Sequence, residues 1–158
     1  MRAYYAIFFC LAITLHNIEE ALWLPQWSQL GIPFLQPVAP HEFYFAILVI
    51  TLLAYVISFL TVHFPSNKLF RYAFVGFLGA MLINTFLPHL LLTLYMQLYA
   101  PGLLTALLLI VPVNGIILYT LWKERVLTVK ELIGATVVVG VVLVGIIPVL
   151  YAVGALLI

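Results

Sequence analysis

Five long apolar runs, separated by short polar or proline-containing stretches, constrain this chain more than any other feature. The runs span about 3–24, 41–63, 69–98, 101–122 and 132–157, and a helix needs about 20 apolar residues to cross a bilayer. With 66% apolar residues, 7% charged residues and a mean hydropathy of +1.27, the chain has more apolar surface than a soluble domain of its length can bury. The sequence therefore predicts an all-α membrane protein, a single domain over residues 1–158 that forms a bundle of five transmembrane helices.

Prolines and glycines divide and shape these runs. Pro25 should end the first helix, because proline cannot continue the helical hydrogen-bond ladder, and Pro33 lies in the connection that follows. Pro88 should kink the long third run. Small residues allow close helix packing in membranes, and we expect the glycines of the fifth run to serve it. These are Gly134, Gly140, Gly145 and Gly154.

The positive charges predict the orientation in the membrane. All six fall at the amino end, in the second connection or in the fourth connection: Arg2, Lys68, Arg71, Lys123, Arg125 and Lys130. Connections rich in lysine and arginine stay in the cytoplasm. We therefore predict a cytoplasmic amino terminus and an external carboxyl terminus.

Composition also excludes several classes of protein. The net charge of +1 gives no reason to expect a nucleic-acid partner. The single cysteine, Cys10, rules out an internal disulfide framework and a thiolate metal site. The amino-terminal run resembles a signal peptide, but no small-residue cleavage site follows it, so we interpret it as a retained helix.

One turn of the first apolar run carries three ionisable side chains: His16, Glu19 and Glu20. Residues three and four apart share one face of a helix. A carboxylate in the middle of a membrane helix costs about 2.5 to 3.5 kcal/mol. These side chains therefore require a site lined by protein rather than by lipid.

A histidine of the third run should lie at the same depth. At about 1.5 Å per residue, His16 lies roughly 12 Å and His89 roughly 14 Å below the outer boundary. Imidazoles and carboxylates on facing helices suit a divalent metal. We predict His16, Glu19, Glu20 and His89 as its ligands, with Zn²⁺ as the first choice and Mn²⁺ or iron as alternatives.

The stretch His16-Asn17-Ile18-Glu19-Glu20 resembles the signature of the HXXEE domain family of small bacterial membrane proteins. That family pairs the signature with another histidine and a YxPG motif, which His89 and Tyr99-Ala100-Pro101-Gly102 match in the same order. The family has no assigned function. The resemblance implies a protein of the cytoplasmic (inner) membrane of a prokaryote. It supports a shared site and says almost nothing about its reaction.

These residues suggest a reaction class. Glu19 or Glu20 could hold the metal while the other removes a proton from a water molecule on it, and the Tyr99 hydroxyl could donate into the site. The leading hypothesis is a metal-dependent membrane enzyme of the hydrolase type that acts on a membrane lipid or amphiphile from the outer leaflet. The oligomeric state does not follow from the sequence.

Other interpretations stay open. The polar cluster could be a proton relay in a proton-coupled transporter, a hydrogen-bonded core in a non-catalytic packing or partner protein, or a haem site between two histidines. Asn84 would point away from His89 on a straight helix, although a kink at Pro88 could change this. His41 and Glu42 are further candidates for the site, whereas Thr105 and Asn114 are interpreted as packing residues.

Overall fold

The computed structural model describes residues 2–31 and 36–157, and within these ranges it contains five helices long and apolar enough to cross a membrane. The helices are α1 (Ala3–Ser28), α2 (Pro40–His63), α3 (Lys68–Met96), α4 (Leu103–Lys123) and α5 (Val129–Leu157). The prediction of an all-α architecture with five membrane-length helices is confirmed. Pro33 lies outside the described ranges, so the prediction for its connection has no structural counterpart.

The first helix extends past the proline that was expected to end it. Pro25 lies inside α1, which continues to Ser28, so the prediction of a helix end at Pro25 is wrong. A proline removes one hydrogen bond from the ladder. Beyond the proline, the last turn is held by other contacts, since the Ser28 hydroxyl donates to the Pro25 carbonyl at 2.8 Å and Trp27 packs against Ala100.

The third helix is broken before Pro88, as the sequence predicts. Leu87 leaves the helical conformation, with φ −130° and ψ 102°. A residue that precedes proline avoids helical angles because the proline ring clashes with its backbone. Beyond the break α3 resumes as Leu91–Met96. The break changes the direction in which the following side chains point, and His89 is buried.

The apolar core lies between α1, α3 and α4. Phe9 packs edge to face against Phe74 and Phe77, with ring centroids 5.5 Å apart in both pairs. The quadrupoles of aromatic rings favour this arrangement. Ile13 and Ile110 belong to the same core and, like these rings, are fully buried. Valines of α5 are largely exposed. We expect that outer surface to contact lipid.

The positively charged segments gather at one end of the bundle. Arg2, Arg71 and Glu124 line the same cavity of about 250 Å³, and the Arg2 guanidinium lies 2.6 Å from the Glu124 carboxylate. The amino end, the second connection and the fourth connection therefore share one end, as the alternation of charge requires. That this end faces the cytoplasm stays a prediction.

Close helix packing is provided by α3 more than by α5. A Cβ added at Gly76 would overlap the Ala135 carbonyl of α5. In contrast, a Cβ at Gly134 or Gly145 would meet nothing within 4 Å in the described part of the chain. Of the four α5 glycines, Gly154 makes a close approach, to the backbone of Glu42, so the expectation for the fifth run holds mainly there.

Gly76→Ala should therefore destabilise the bundle. The added methyl group meets backbone, which cannot rotate away, and overpacking of this kind typically costs about 1 to 3 kcal/mol. The free energy of unfolding in detergent would measure the loss. Gly134→Ala is the matched control and should not lower it, because the methyl group meets nothing there and alanine is favoured over glycine inside a helix by about 0.5 to 1 kcal/mol. Equal stability of the two variants would contradict this packing.

Candidate functional site

Three ionisable side chains converge from α1 and from the broken part of α3. Donor atoms of His16, Glu20 and His89 all lie within 4.8 Å of one another. The Glu20 carboxylate oxygen is 3.1 Å from His89 Nε2 and 3.7 Å from His16 Nε2. Both imidazoles are almost completely buried, and the Glu20 side chain is 14% exposed. The prediction that His89 meets the polar turn of α1 is confirmed.

The tautomer of His16 is fixed by the hydrogen bond of Nδ1, the ring nitrogen that does not face Glu20. His16 Nδ1 lies 3.1 Å from the Gly102 carbonyl oxygen, and a carbonyl oxygen only accepts. Nδ1 therefore carries the hydrogen, and in the neutral ring Nε2 carries the lone pair. Nε2 is buried and finds no hydrogen-bond partner among residues 2–31 and 36–157. A histidine oriented by a backbone carbonyl in this way is typical of metal ligands.

The Glu19 carboxylate has different partners from that of Glu20. One carboxylate oxygen accepts from the Gly102 N–H at 3.0 Å. The other accepts from the Thr105 N–H at 2.9 Å and from the Thr105 hydroxyl at 2.5 Å. These donors form the start of α4, where a carboxylate also complements the helix dipole. The structure therefore does not bring Glu19 into the three-residue group, although the sequence places it among the metal ligands.

Tyr99 lies beside Glu19 rather than beside the histidines. Its hydroxyl donates to the Glu19 carboxylate and accepts from the Leu104 N–H at 3.0 Å. Burial, together with the hydrogen bond to Glu19, raises the pKa of Tyr99 to about 12. The phenol therefore keeps its proton at neutral pH. In this arrangement Tyr99 supports Glu19 and does not donate directly to the group of three.

Thr105 contacts both Glu19 and His16. Its interpretation as a packing residue missed this role. Its hydroxyl donates to Glu19, so its oxygen is free to accept from His16 Nδ1, which lies 3.2 Å away. The signal in the sequence was its place three residues after Gly102, in the first turn of a helix. There a polar side chain can reach both the helix start and a neighbouring helix.

Gly102 lies directly against the three donor side chains. A Cβ at this position would be 2.8 Å from His89 Cε1, 2.9 Å from His16 Cε1 and 3.0 Å from Glu20 Cγ. The residue also has φ +91°, which glycine adopts without steric cost. The YxPG segment thus supplies a turn whose backbone fits tightly against the site.

The remaining candidates divide between the site and the helix ends. Asn84 does reach it, because its amide nitrogen lies 3.0 Å from His89 Nε2 across the break in α3. Glu42 instead accepts from the Ala39 N–H at 3.2 Å and so caps its own helix. Neither His41 nor Glu42 belongs to the three-residue group. Asn114 donates to the Leu78 carbonyl at 3.1 Å, as a packing residue does.

A groove of about 690 Å³ opens beside this site, at the end of the bundle where α1 finishes. Its lining combines apolar and aromatic side chains with Glu19 and the two residues whose hydroxyls bind it, Tyr99 and Thr105. The groove is lined by Glu19, Trp23, Gln26, Trp27, Leu30, Tyr99, Pro101, Leu104 and Thr105. The indole N–H of Trp27 is buried and has no hydrogen-bond partner within the part of the chain that the structure describes.

Comparison with known proteins identifies the family. The family model "Protein of unknown function with HXXEE motif" matches residues 7–119. The chain belongs to the HXXEE family. The matched range contains the HXXEE motif itself, His89 and the YxPG segment, so every residue of the site described above lies within it.

A relative of this HXXEE protein is the uncharacterized protein YrkK of Bacillus subtilis (strain 168). The two sequences are 50% identical over 151 residues, which cover 96% of each chain. No solved structure matches this HXXEE protein. The names of the family and of the relative assign no reaction, so the function has to be argued from the site.

Proposed function

We propose that this HXXEE protein is a metal-dependent membrane enzyme of the hydrolase type, which acts on a lipid or lipid-like amphiphile from the outer leaflet. The observation that carries the proposal is the convergence of His16, Glu20 and His89 within 4.8 Å. Ionisable groups inside a membrane bundle are costly and are usually functional. A bound cation would offset that cost.

The distances and the donor types support a cation. Ligands of a zinc ion at about 2.0 to 2.2 Å stand about 3 to 3.5 Å apart. Glu20 lies 3.1 Å from one imidazole nitrogen and 3.7 Å from the other, so small side-chain movements would complete the geometry. Two imidazoles and one carboxylate form a donor set of catalytic zinc sites, and the same set also suits Mn²⁺ or iron.

The surrounding residues would hold the donors in place. The Gly102 carbonyl orients His16 through Nδ1. Glu19, with Tyr99, holds Gly102 and Thr105 at the start of α4. We assign Glu20 the role of ligand, and Glu19 and Tyr99 the role of positioning residues. A cation held here would polarise a carbonyl or phosphoryl oxygen and would activate water at neutral pH.

The groove supports an amphiphilic substrate. Its apolar lining, which includes Trp23 and Leu104, would take a hydrocarbon chain, and Glu19 and Thr105 connect it to the site. Glu20 is 14% exposed, which leaves a small group of the substrate a way to approach the donors.

Metal analysis of the purified protein tests this proposal. After purification in detergent without chelators, inductively coupled plasma mass spectrometry should find about one divalent metal per chain, as expected for a site with three protein ligands. The absorption spectrum should lack a Soret band. Removal of the metal should abolish release of fatty acid or headgroup from a panel of labelled lipids, and added Zn²⁺ should restore it.

Two histidine variants provide the matched comparison. His16→Ala should lose the metal. His63→Ala should keep it, because His63 is exposed at the carboxyl end of α2 and stacks on Phe59. Metal contents below about a tenth per chain in the unsubstituted protein, far under the stoichiometry of a structural or catalytic site, would overturn the proposal. Metal that persists in His16→Ala would do the same for this assignment of ligands.

A further inference from the structure

We infer that Asn84 supplies a fourth protein ligand to the cation through its amide oxygen, an inference that rests on the function proposed above. Asn84 and His89 are five residues apart, which on an unbroken helix is a turn of about 140°. The break at Leu87 changes the direction of the chain between the two residues, so this angular separation no longer applies. It brings the Asn84 amide to 3.0 Å from His89 Nε2.

Two groups compete for the same imidazole nitrogen. His89 Nε2 lies 3.0 Å from the Asn84 amide nitrogen and 3.1 Å from a Glu20 carboxylate oxygen. A ring nitrogen either donates or accepts. If Nε2 carries hydrogen, it faces the amide N–H; if it carries a lone pair, it faces the carboxylate. One of the two contacts is unfavourable in either tautomer.

Rotation of the amide removes this conflict. A half-turn about the terminal bond exchanges the amide nitrogen and oxygen, which occupy nearly equivalent positions. The Asn84 oxygen and the Glu20 oxygen then both lie about 3 Å from His89 Nε2, as two ligands of a cation bound to that nitrogen would. A separation of 3.0 Å from His89 Nε2 agrees with the spacing of about 3 to 3.5 Å between two ligands of one zinc ion.

The chemistry of the amide suggests what this ligand does. A neutral amide oxygen binds a divalent cation more weakly than a carboxylate or an imidazole that is held by a second hydrogen bond. It can therefore leave when an oxygen atom of the substrate arrives. Asn84 would occupy the exchangeable position of the site, and His16, Glu20 and His89 would keep the cation in place.

Measured metal affinity tests this inference, because substitutions of Asn84 should shift it in opposite directions. Zn²⁺ affinity of the purified protein would be determined by competition with a chromophoric chelator. Asn84→Ala should weaken it by about 10- to 100-fold. Asn84→Asp should strengthen it by at least about 10-fold, because an anionic oxygen replaces a neutral one at the same position. A residue that only packs the helix would not raise affinity when it gains a charge.

The control is Asn17→Ala, which removes a buried amide beside His16. Asn17 donates to Thr51 at 2.6 Å instead of facing the site, so this variant should leave Zn²⁺ affinity unchanged within about 3-fold, as expected for a residue with no contact to the ligands. Asn84→Ala decides the matter if Asn84→Asp does not fold.

The failure of this inference is distinguishable from failure of the proposed function. If the unsubstituted protein binds no Zn²⁺, the proposed metal site itself is wrong and Asn84 with it. If it binds about one Zn²⁺ and Asn84→Ala binds with the same affinity, only the fourth ligand is wrong. Loss of affinity in Asn84→Ala equal to that in Asn17→Ala would likewise overturn the role of Asn84.

Discussion

Glu20→Gln should empty the metal site, whereas Glu19→Gln should leave it filled, although the two carboxylates are adjacent in the sequence. Glu20 contacts both histidines. An amide in its place offers a neutral oxygen, and we expect metal content to fall from about one to below about a tenth per chain, because a charged first ligand is lost. Mass spectrometric metal analysis of the two variants, purified side by side, measures this difference.

Stability should change in the opposite sense. The Glu19 carboxylate accepts from Tyr99, Gly102 and Thr105, and glutamine has only one oxygen to accept these bonds. Glu19→Gln should therefore lower the free energy of unfolding by about 1 to 3 kcal/mol. Without metal, Glu20→Gln should not destabilise the protein, because it removes a largely buried charge from the helix bundle.

Thermal unfolding of both variants in metal-free detergent solution completes the test. A Glu20→Gln protein that retains its metal would remove Glu20 from the ligand set. A Glu19→Gln protein that loses as much metal as Glu20→Gln would show that Glu19 belongs to the set, as the sequence interpretation had it. The two carboxylates are thus distinguished by one comparison in which each variant is the control for the other.

The meeting of His16, Glu20 and His89 could be predicted because it depends on two simple quantities. The rise per residue of a helix sets their depth, and the spacing of four residues sets their face. Both survive the details of side-chain packing. The kink near Pro88 was likewise predictable, since the steric clash before proline is local.

The division of labour between Glu19 and Glu20 could not be predicted in the same way. Glu19 and Glu20 lie on the same turn of α1, and their side chains point in directions about 100° apart around the helix. Which of them faces α3 and which faces α4 depends on the rotation of α1 in the bundle. That rotation is set by the packing of Phe9 and Ile13 in the core, which no local pattern specifies.

The same limit explains why the sequence left the role of Asn84 undecided and why the interpretation of Thr105 as a packing residue missed its contacts with the site. On a straight α3, Asn84 points away from His89, and only the conformation of Leu87 reverses this. Thr105 acquires its role because α4 begins beside α1, with backbone N–H groups that bind Glu19. Such contacts depend on how helices start next to each other, and hydropathy does not record them.

Gly102→Ala should produce the largest combined loss of stability and metal affinity in this protein. The added methyl carbon would stand 2.8 to 3.0 Å from His89, His16 and Glu20. Ring atoms held by hydrogen bonds cannot move aside without disturbing the donors. A non-glycine residue at positive φ costs about 1 kcal/mol or more, and overpacking adds about 1 to 3 kcal/mol.

The site should lose more than the fold. A shift of the three donors by about 1 Å is enough to lower metal affinity by about 10- to 100-fold, the range found when supporting contacts of a metal site are removed. Chelator competition measures that affinity, and unfolding in detergent measures the stability. Both should fall together, because Gly102 also binds His16 through its carbonyl and Glu19 through its N–H.

Gly31→Ala is the control that separates backbone strain from contact with the site. Gly31 also has positive φ, +72°, but a Cβ there would meet nothing within 4 Å among the residues described. It should lose only the roughly 1 kcal/mol of backbone strain and keep its metal affinity. If Gly102→Ala matches Gly31→Ala in both measurements, Gly102 serves only the turn. Since the three donor side chains surround the missing methyl group, we expect the two variants to differ most in metal affinity.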